Sequence, residues 1–223
     1  MSESDRFARV SRRRFLQAAA GATAAAGIGG ATSLFGGKKS LPNPNVAGVD
    51  RVVVVMMENR SFDHMLGWLP GADGRQAGLT YLDASGVPHD TYAFAPDYQG
   101  CGHPDPDHSY DAGRIEFNDG ACDGWLRAGE NDRYAIGYYT AADLPFFAGA
   151  ARDWTACDAY FSPVMGPTFP NRFYLHCAQT DRITNSFNVS TLPTIWDRLA
   201  AAGVSARYYF SDVPFLALWG RKY

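Results

Sequence analysis

A six-residue apolar run at positions 52–57, Val-Val-Val-Val-Met-Met, constrains the fold of this chain more than any other segment. Polar and apolar residues do not alternate in this run, as they would in a strand with one solvent-exposed face. The run is therefore typical of a strand buried on both faces, as in a parallel sheet covered by helices. Residues 154–162 and 205–210 are predicted to be further strands, and residues 194–202 an amphipathic helix. This order of strand, helix and strand predicts an α/β fold with a doubly wound, mostly parallel sheet and helices on both faces.

Two polar residues, Glu58 and Asn59, end the apolar run. In open α/β sheets, functional groups collect where strands end at their carboxyl edge. Carboxylate and amide oxygens suit a hard divalent cation, so the pair is a candidate metal site. The alternative interpretation is that the pair caps the following turn.

The first 40 residues are predicted to be a signal peptide and linker. Residues 11–17 read Ser-Arg-Arg-Arg-Phe-Leu-Gln and precede a stretch rich in Ala and Gly that has no charge until Lys38. The paired arginines before Phe15 resemble the twin-arginine address of bacterial proteins that fold before export. Because the glycines weaken a helix and Ala adds little affinity for a bilayer, we expect no stable transmembrane anchor. The predicted location is the periplasm, the cell wall or the medium, with the twin-arginine export machinery as a partner.

The charge distribution excludes nucleic acid as a partner. The chain of 223 residues has 20 basic and 23 acidic side chains. Residues 1–40 hold seven of the bases and two of the acids, which leaves 13 bases against 21 acids in the remainder. Phosphate backbones are bound by clustered positive charge, which this acidic body lacks. After the leader, the length suits one domain of ordinary size.

Residues 70–153 form a long region rich in Gly, Asp and Tyr, with only short periodic pieces. This pattern predicts an elaborated loop region with short helices, of the kind that forms a lid or pocket wall. Its aromatic side chains can line an apolar pocket, but packing beneath the loop is the more frequent outcome. His108 lies in this region, where a lone histidine is more often structural than catalytic.

Four cysteines permit disulfide bonds in an exported protein. They are Cys101, Cys122, Cys157 and Cys177. A bridge between Cys101 and Cys122 is an open alternative, whereas Cys157 and Cys177 are expected to be buried thiols.

Thr168 stands at a predicted helix start. Gly166 and Pro167 favour a turn, and the helix is predicted over about residues 170–178. A hydroxyl group there lies among free backbone N–H groups and at the positive end of the helix dipole, which favours a phosphate or a developing alkoxide. An ordinary threonine N-cap is the other interpretation.

Two segments together resemble the signatures of a known enzyme family. Residues 56–67 read Met-Met-Glu-Asn-Arg-Ser-Phe-Asp-His-Met-Leu-Gly, and residues 166–175 read Gly-Pro-Thr-Phe-Pro-Asn-Arg-Phe-Tyr-Leu. They look like the two N-terminal signatures of the bacterial phospholipase C and acid phosphatase family of phosphoesterases, within the alkaline phosphatase superfamily. Further matches lie at residues 143–147, 157–161, 192–199 and 208–219.

This resemblance implies an alkaline phosphatase-like fold and a set of roles. Glu58 and Asn59 would bind a divalent metal ion, Thr168 would be the nucleophile in contact with the same ion, and His108 would correspond to a phosphate-contacting histidine. Coordination lowers the pKa of a threonine hydroxyl enough to present an alkoxide. In-line attack on phosphorus would then give a phosphothreonine that water hydrolyses.

The expected function is an exported, metal-dependent phosphoric-ester hydrolase, a phospholipase C acting on phosphatidylcholine-like lipids. The alternatives are an acid phosphatase acting on soluble monoesters, and a non-catalytic exported domain that at most binds phosphate. Members of the family complete their metal site with a downstream cluster of acidic and histidine residues, which is not found before Tyr223. Residues 41–223 are therefore expected to be the N-terminal portion of the catalytic domain, with a sheet that is incomplete at the C-terminus.

Overall fold

The computed structural model describes residues 48–223, of which residues 56–223 form one compact unit. The predicted leader, with its arginine pair, lies outside the described residues. The α-helices are α1 (Phe62–Leu66), α2 (Tyr110–Phe117), α3 (Pro145–Asp153), α4 (Thr168–Cys177) and α5 (Ile195–Ala201). The strands are β1 (Thr80–Leu82), β2 (Pro88–Asp90), β3 (Tyr92–Ala93) and β4 (Gly137–Tyr138). Single-turn 3₁₀ segments lie at Gly100–Gly102, Asn118–Gly120 and Arg133–Ile136, and a longer one at Phe215–Lys222.

The two predicted helices near the C-terminus are both present. Helix α5 begins with a capping box, in which the Asp197 N–H donates to Thr194 Oγ1 at 3.3 Å and the Thr194 N–H donates to Asp197 Oδ2 at 2.8 Å. Helix α4 begins at Thr168, two residues before the predicted start. Pro170 occupies its third position, where a missing N–H removes no helical hydrogen bond. It ends at Cys177, and the left-handed backbone of the following Ala178 (φ 55°) turns the chain out of the helix.

The region between Pro70 and Asp153 consists of short elements joined by loops, as predicted. Strands β1 and β2 pair antiparallel, with Thr80 opposite Asp90, and β3 pairs in parallel with β4 over two residues on each side. Beneath them, Phe94 is buried among aromatic rings. His64, Tyr134 and Tyr139 lie around it, with ring centroids 5.0–5.3 Å away. Packing beneath the loop thus accounts for several of the aromatic side chains of this region.

The three apolar segments predicted as strands, residues 52–57, 154–162 and 205–210, contain no strand. Many of their large side chains are exposed, including Val53, Tyr160 and Tyr209. A β-strand needs a neighbour that completes its ladder of backbone hydrogen bonds, and no described segment pairs with these three. The strand predictions are therefore wrong for this structure, while the doubly wound sheet stays a prediction.

The main hydrophobic core lies between α4, α5 and the C-terminal 3₁₀ segment. Phe173 of α4 is fully buried and stacks on Trp219, with ring centroids 4.6 Å apart. Leu216 and Leu218 complete the buried cluster. Partly buried side chains surround it, namely Phe169, Cys177, Leu192, Trp196, Tyr208 and Phe215. Helix α4 is thereby anchored in the core through the face that carries Phe173.

All four cysteines are free thiols in the structure, so the bridge between Cys101 and Cys122 is not formed. Cys157 is exposed, contrary to the prediction of a buried thiol, because its segment packs against no strand. Cys177 is half-buried at the end of α4, and burial raises the pKa of its thiol to about 11. In residues 48–223, no helix combines the length and the apolar character that crossing a bilayer would require.

His176 is a buried histidine that should make stability depend on pH. Burial, reinforced by the charge of Arg172, lowers the pKa of His176 to about 4, and its Nδ1 accepts a hydrogen bond from Trp196 Nε1 at 3.2 Å. The unfolded chain therefore binds more protons than the folded one between about pH 6.5 and pH 4. We expect His176 to reduce the free energy of unfolding by about 1–3 kcal/mol as the pH falls through this window, with no contribution above it.

Urea denaturation of the parent protein and a His176→Asn variant at pH 7 and pH 5 measures this effect. His64, whose pKa burial and the Arg60 charge also lower to about 4, acts in the same direction, whereas buried Glu116 acts in the opposite one because burial raises its pKa to about 7. Both groups remain in the variant, so the difference between the two proteins isolates His176. Identical pH dependence in the two proteins would contradict a neutral, buried imidazole.

Candidate active site

Thr168 opens helix α4 at the end of a loop that is held mainly by Asn171, while Arg114 Nη2 also donates to the Met165 carbonyl at 3.0 Å. The Asn171 Nδ2 amide donates to the carbonyl oxygens of Val164 at 2.9 Å and Pro167 at 3.0 Å. In return, the Val164 N–H donates to Asn171 Oδ1 at 3.2 Å. These bonds fix the path of the chain into the helix and hence the position of the threonine hydroxyl.

The structure brings Glu58 to Thr168 across 110 residues of sequence. The hydroxyl of Thr168 donates to Glu58 Oε1 at 3.3 Å. Arg172 lies one helical turn after Thr168, on the same face, and its Nε is 3.6 Å from Glu58 Oε2. Because these groups are partly exposed to water, the contacts add little to stability. Their arrangement nevertheless combines a hydroxyl, a carboxylate and a guanidinium at one helix start.

The N-terminus of α4 offers fewer free N–H groups to an anion than the sequence suggested. The Phe169 N–H donates to Asn185 Oδ1 at 2.9 Å, and Pro170 has no N–H to give. An incoming phosphate would therefore depend more on side chains, such as Arg172, than on the open end of the helix.

Asn59 and His108 face a common cavity of about 290 Å³. Asn59 Oδ1 accepts a long hydrogen bond, 3.4 Å, from Arg60 Nη1. The Nδ1–H of His108 donates to the Pro106 carbonyl at 2.9 Å, which leaves Nε2 as the acceptor of the neutral ring. Among the described residues, His108 makes no hydrogen bond to Thr168 or Glu58. The predicted residues thus fall into one contacting pair and one pair that shares a cavity.

Three residues near these groups were missed by the sequence analysis. Arg172 follows Thr168 at a spacing of four, which a helix places on one face, so it could have been found. Nothing in the local sequence marks Asn185, which is 16 residues from its partner Phe169. Glu116 lines the cavity with His108 and is buried, and burial, together with the charge of Asp107, raises the pKa of its carboxyl to about 7.

The donor groups fit part of a divalent metal site. A carboxylate, an amide oxygen and a hydroxyl, from Glu58, Asn59 and Thr168, are the oxygen ligands that hard cations prefer. Their number is about half of what such an ion takes. Residues 48–223 contain no cluster of three or more His, Cys, Asp or Glu side chains arranged to hold a metal. By chemistry these residues would supply three oxygen ligands, of which the structure brings two, from Glu58 and Thr168, into contact.

Comparison with known proteins confirms the predicted family. Residues 49–221 match the model of the Phosphoesterase family. The chain belongs to the phosphoesterase family. The two signatures that suggested this family contain Glu58 and Thr168, the pair that the structure joins.

Several phospholipases C are similar to this phosphoesterase. The non-hemolytic phospholipase C of Pseudomonas aeruginosa is 31% identical over an alignment 246 positions long, which covers 92% of this chain and 35% of that protein. Phospholipase C B of Mycobacterium tuberculosis is 33% identical, covering 77% of this chain and 38% of its own length. The non-specific phospholipase C1 of Arabidopsis thaliana is 30% identical, and the match covers 74% of this chain and 35% of that protein. The chain thus spans about a third of the length of the curated relatives it matches.

Proposed function

We propose that this chain carries the nucleophile of a metal-dependent phosphoric-ester hydrolase, a phospholipase C that acts on phosphatidylcholine-like lipids. The observation that supports it most is the 3.3 Å contact between Thr168 Oγ1 and Glu58 Oε1 at the start of a helix. The relatives named phospholipase C support the class of reaction.

In the proposed reaction, the Thr168 oxygen attacks phosphorus in line. A bond forms between Oγ1 and phosphorus while the bond from phosphorus to the diacylglycerol oxygen breaks, and the diacylglycerol leaves with a proton. Water then attacks the phosphothreonine, releases the phosphorylated head group and restores the hydroxyl. Glu58 orients the hydroxyl for attack, and Arg172 is within reach to neutralise negative charge on the phosphoryl oxygens.

A divalent ion held by Glu58, Asn59 and Thr168 would lower the pKa of the threonine hydroxyl and offset phosphoryl charge. His108 faces the same cavity as Asn59 and, in its doubly protonated form, would donate from Nε2 to a phosphate oxygen. In this proposal, Asn59 links the nucleophile to the cavity in which part of the substrate lies.

The doubly wound, mostly parallel sheet is part of the same proposal. The side chains of residues 52–55 and of Tyr209 and Phe210 are exposed, and a parallel sheet covered by helices on both faces would bury them. Export through the twin-arginine machinery likewise remains proposed, on the pattern of residues 11–17.

An acid phosphatase acting on soluble monoesters is the second candidate. The cavity beside Asn59 also carries Arg60, Arg75 and His108, groups that suit a phosphate dianion, together with the acidic residues Asp63, Asp107 and Glu116. The phosphate of a lipid diester carries only one negative charge, whereas that of a monoester carries up to two. Several basic groups around one phosphate therefore favour a monoester substrate.

Parallel assays on phosphatidylcholine and p-nitrophenyl phosphate separate the two candidates. We expect the protein, when it has a divalent ion and the downstream acidic and histidine cluster that the family resemblance implies, to release diacylglycerol and to lose this activity when a chelator removes the ion. Restoring the ion should restore turnover. Hydrolysis of the monoester alone would favour the phosphatase, and turnover that persists in chelator would contradict metal dependence.

A further inference from the structure

Residues 183–190, here called the apolar loop, present large apolar side chains to solvent beside the candidate active site. The loop reads Ile-Thr-Asn-Ser-Phe-Asn-Val-Ser and contains no charged residue. Ile183, Phe187 and Val189 are 52%, 80% and 66% exposed. Exposed aromatic and aliphatic side chains on an uncharged segment are unfavourable in water and favourable at an apolar surface.

The base of the apolar loop is held firmly by the core. The Arg182 side chain is almost fully buried, lies over the Phe173 ring at 4.0 Å and pairs with Asp181 at 2.6 Å. At the other end, Ser190 Oγ donates to Asp181 Oδ2 at 2.7 Å, and the Ser190 N–H donates to the Leu218 carbonyl at 2.8 Å. Both ends are therefore tied to buried groups, and the loop displays its apolar side chains from a fixed base.

The apolar loop also contacts the residue that follows the proposed nucleophile. Asn185 Oδ1 accepts the Phe169 N–H at 2.9 Å, and the Phe187 ring packs edge-to-face on the Phe169 ring with centroids 5.4 Å apart. A surface bound by Phe187 would therefore lie next to the start of helix α4 and Thr168.

We infer that the apolar loop docks this protein on the surface of a zwitterionic phospholipid bilayer, which brings the start of α4 to the lipid head groups. This inference deepens the proposed function and rests on it for the identity of the surface. The apolar loop has no charged side chain. This favours a zwitterionic surface over an anionic one, because anionic membranes are recognised by clustered Lys and Arg. Arg182, the basic residue adjoining the loop, is buried and paired with Asp181.

Vesicle co-sedimentation of the 223-residue chain tests this docking. With vesicles of phosphatidylcholine alone, we expect a Phe187→Ser/Val189→Ser variant to bind about 10- to 100-fold more weakly than the parent protein, since two apolar contacts are lost. Binding of the parent should change little between about 0.1 M and about 1 M salt. The matched control is Phe146→Ser, which removes a phenyl ring of similar exposure, 78%, from helix α3. This control should bind vesicles as the parent does.

A Phe187→Trp variant gives a second readout that does not depend on a loss of vesicle binding. Its additional fluorescence should shift to the blue on phosphatidylcholine vesicles and be quenched by brominated acyl chains. Equal vesicle binding by parent and double variant, no blue shift, or binding that requires anionic lipid would each overturn the inference. Self-association that the double variant abolishes, without vesicle binding by the parent, would identify a protein interface instead and overturn it equally.

Vesicle binding requires no turnover, so this inference and the proposed function fail separately. A protein that binds phosphatidylcholine vesicles through Phe187 without releasing diacylglycerol would refute the proposed reaction alone. Release of diacylglycerol with equal vesicle binding by the parent and the double variant would refute the docking role alone.

Discussion

Replacement of Thr168 by alanine is expected to reduce phosphoester hydrolysis at least about a thousandfold, since the variant lacks the oxygen that would form the covalent intermediate. The side chain bonds to one partly exposed partner, Glu58, so its loss should change the free energy of unfolding by less than about 1 kcal/mol. Turnover of phosphatidylcholine and urea denaturation, measured on the same preparation, separate a lost nucleophile from a lost fold.

A Thr168→Ser variant retains a hydroxyl at the same position and should keep measurable activity. Thr155→Ala removes an exposed threonine elsewhere and serves as the control for the substitution itself. Acid quenching during turnover should trap a phosphorylated protein for the parent chain and none for Thr168→Ala. Equal rates for the parent and Thr168→Ala would refute Thr168 as nucleophile, whatever the substrate.

Replacement of Phe173 by alanine is expected to destabilise the protein by about 3–5 kcal/mol, the largest stability effect we foresee. Phe173 is fully buried, stacks on Trp219 at 4.6 Å and carries the Arg182 guanidinium 4.0 Å above its ring. The variant loses this packing and leaves a cavity between α4 and the C-terminal 3₁₀ segment. Urea denaturation monitored by tryptophan fluorescence measures the effect, because Trp219 and Trp196 border the same core.

Phe146→Ala is the matched control, because it deletes the same ring from an exposed position of helix α3. We expect it to change the free energy of unfolding by less than about 0.5 kcal/mol. Similar losses for the two variants would show that Phe173 does not belong to a packed core.

Much of the local structure could be predicted from the sequence. Helices α4 and α5 were placed to within two residues at their starts, because Pro170 fits only the first turn of a helix and Thr194 caps α5 through hydrogen bonds to Asp197. The long region between Pro70 and Asp153 was also identified as loops with short elements. The family was recognised from the two signatures, and the match over residues 49–221 confirms it.

Strand formation, in contrast, was not decided by composition. Residues 52–57 have the β-branched character of a buried strand, yet a strand exists only where a neighbour completes its hydrogen bonds. The burial of particular ionisable side chains could not be predicted from the sequence either. His176 and Glu116 are ordinary helix residues in the sequence, and only the packing of distant elements removes them from water and shifts the pKa of each.

The amino-acid sequence by itself therefore determined the helix starts, the family and the residues that are chemically able to act, since these depend on groups a few positions apart. Tertiary structure decided which of them meet. Glu58 reaches Thr168 across 110 residues, and Asn185 reaches the backbone of Phe169 from the apolar loop. Contacts between distant parts of a chain follow from how whole elements pack around a shared core, here Phe173 and Trp219, and no local pattern encodes that packing.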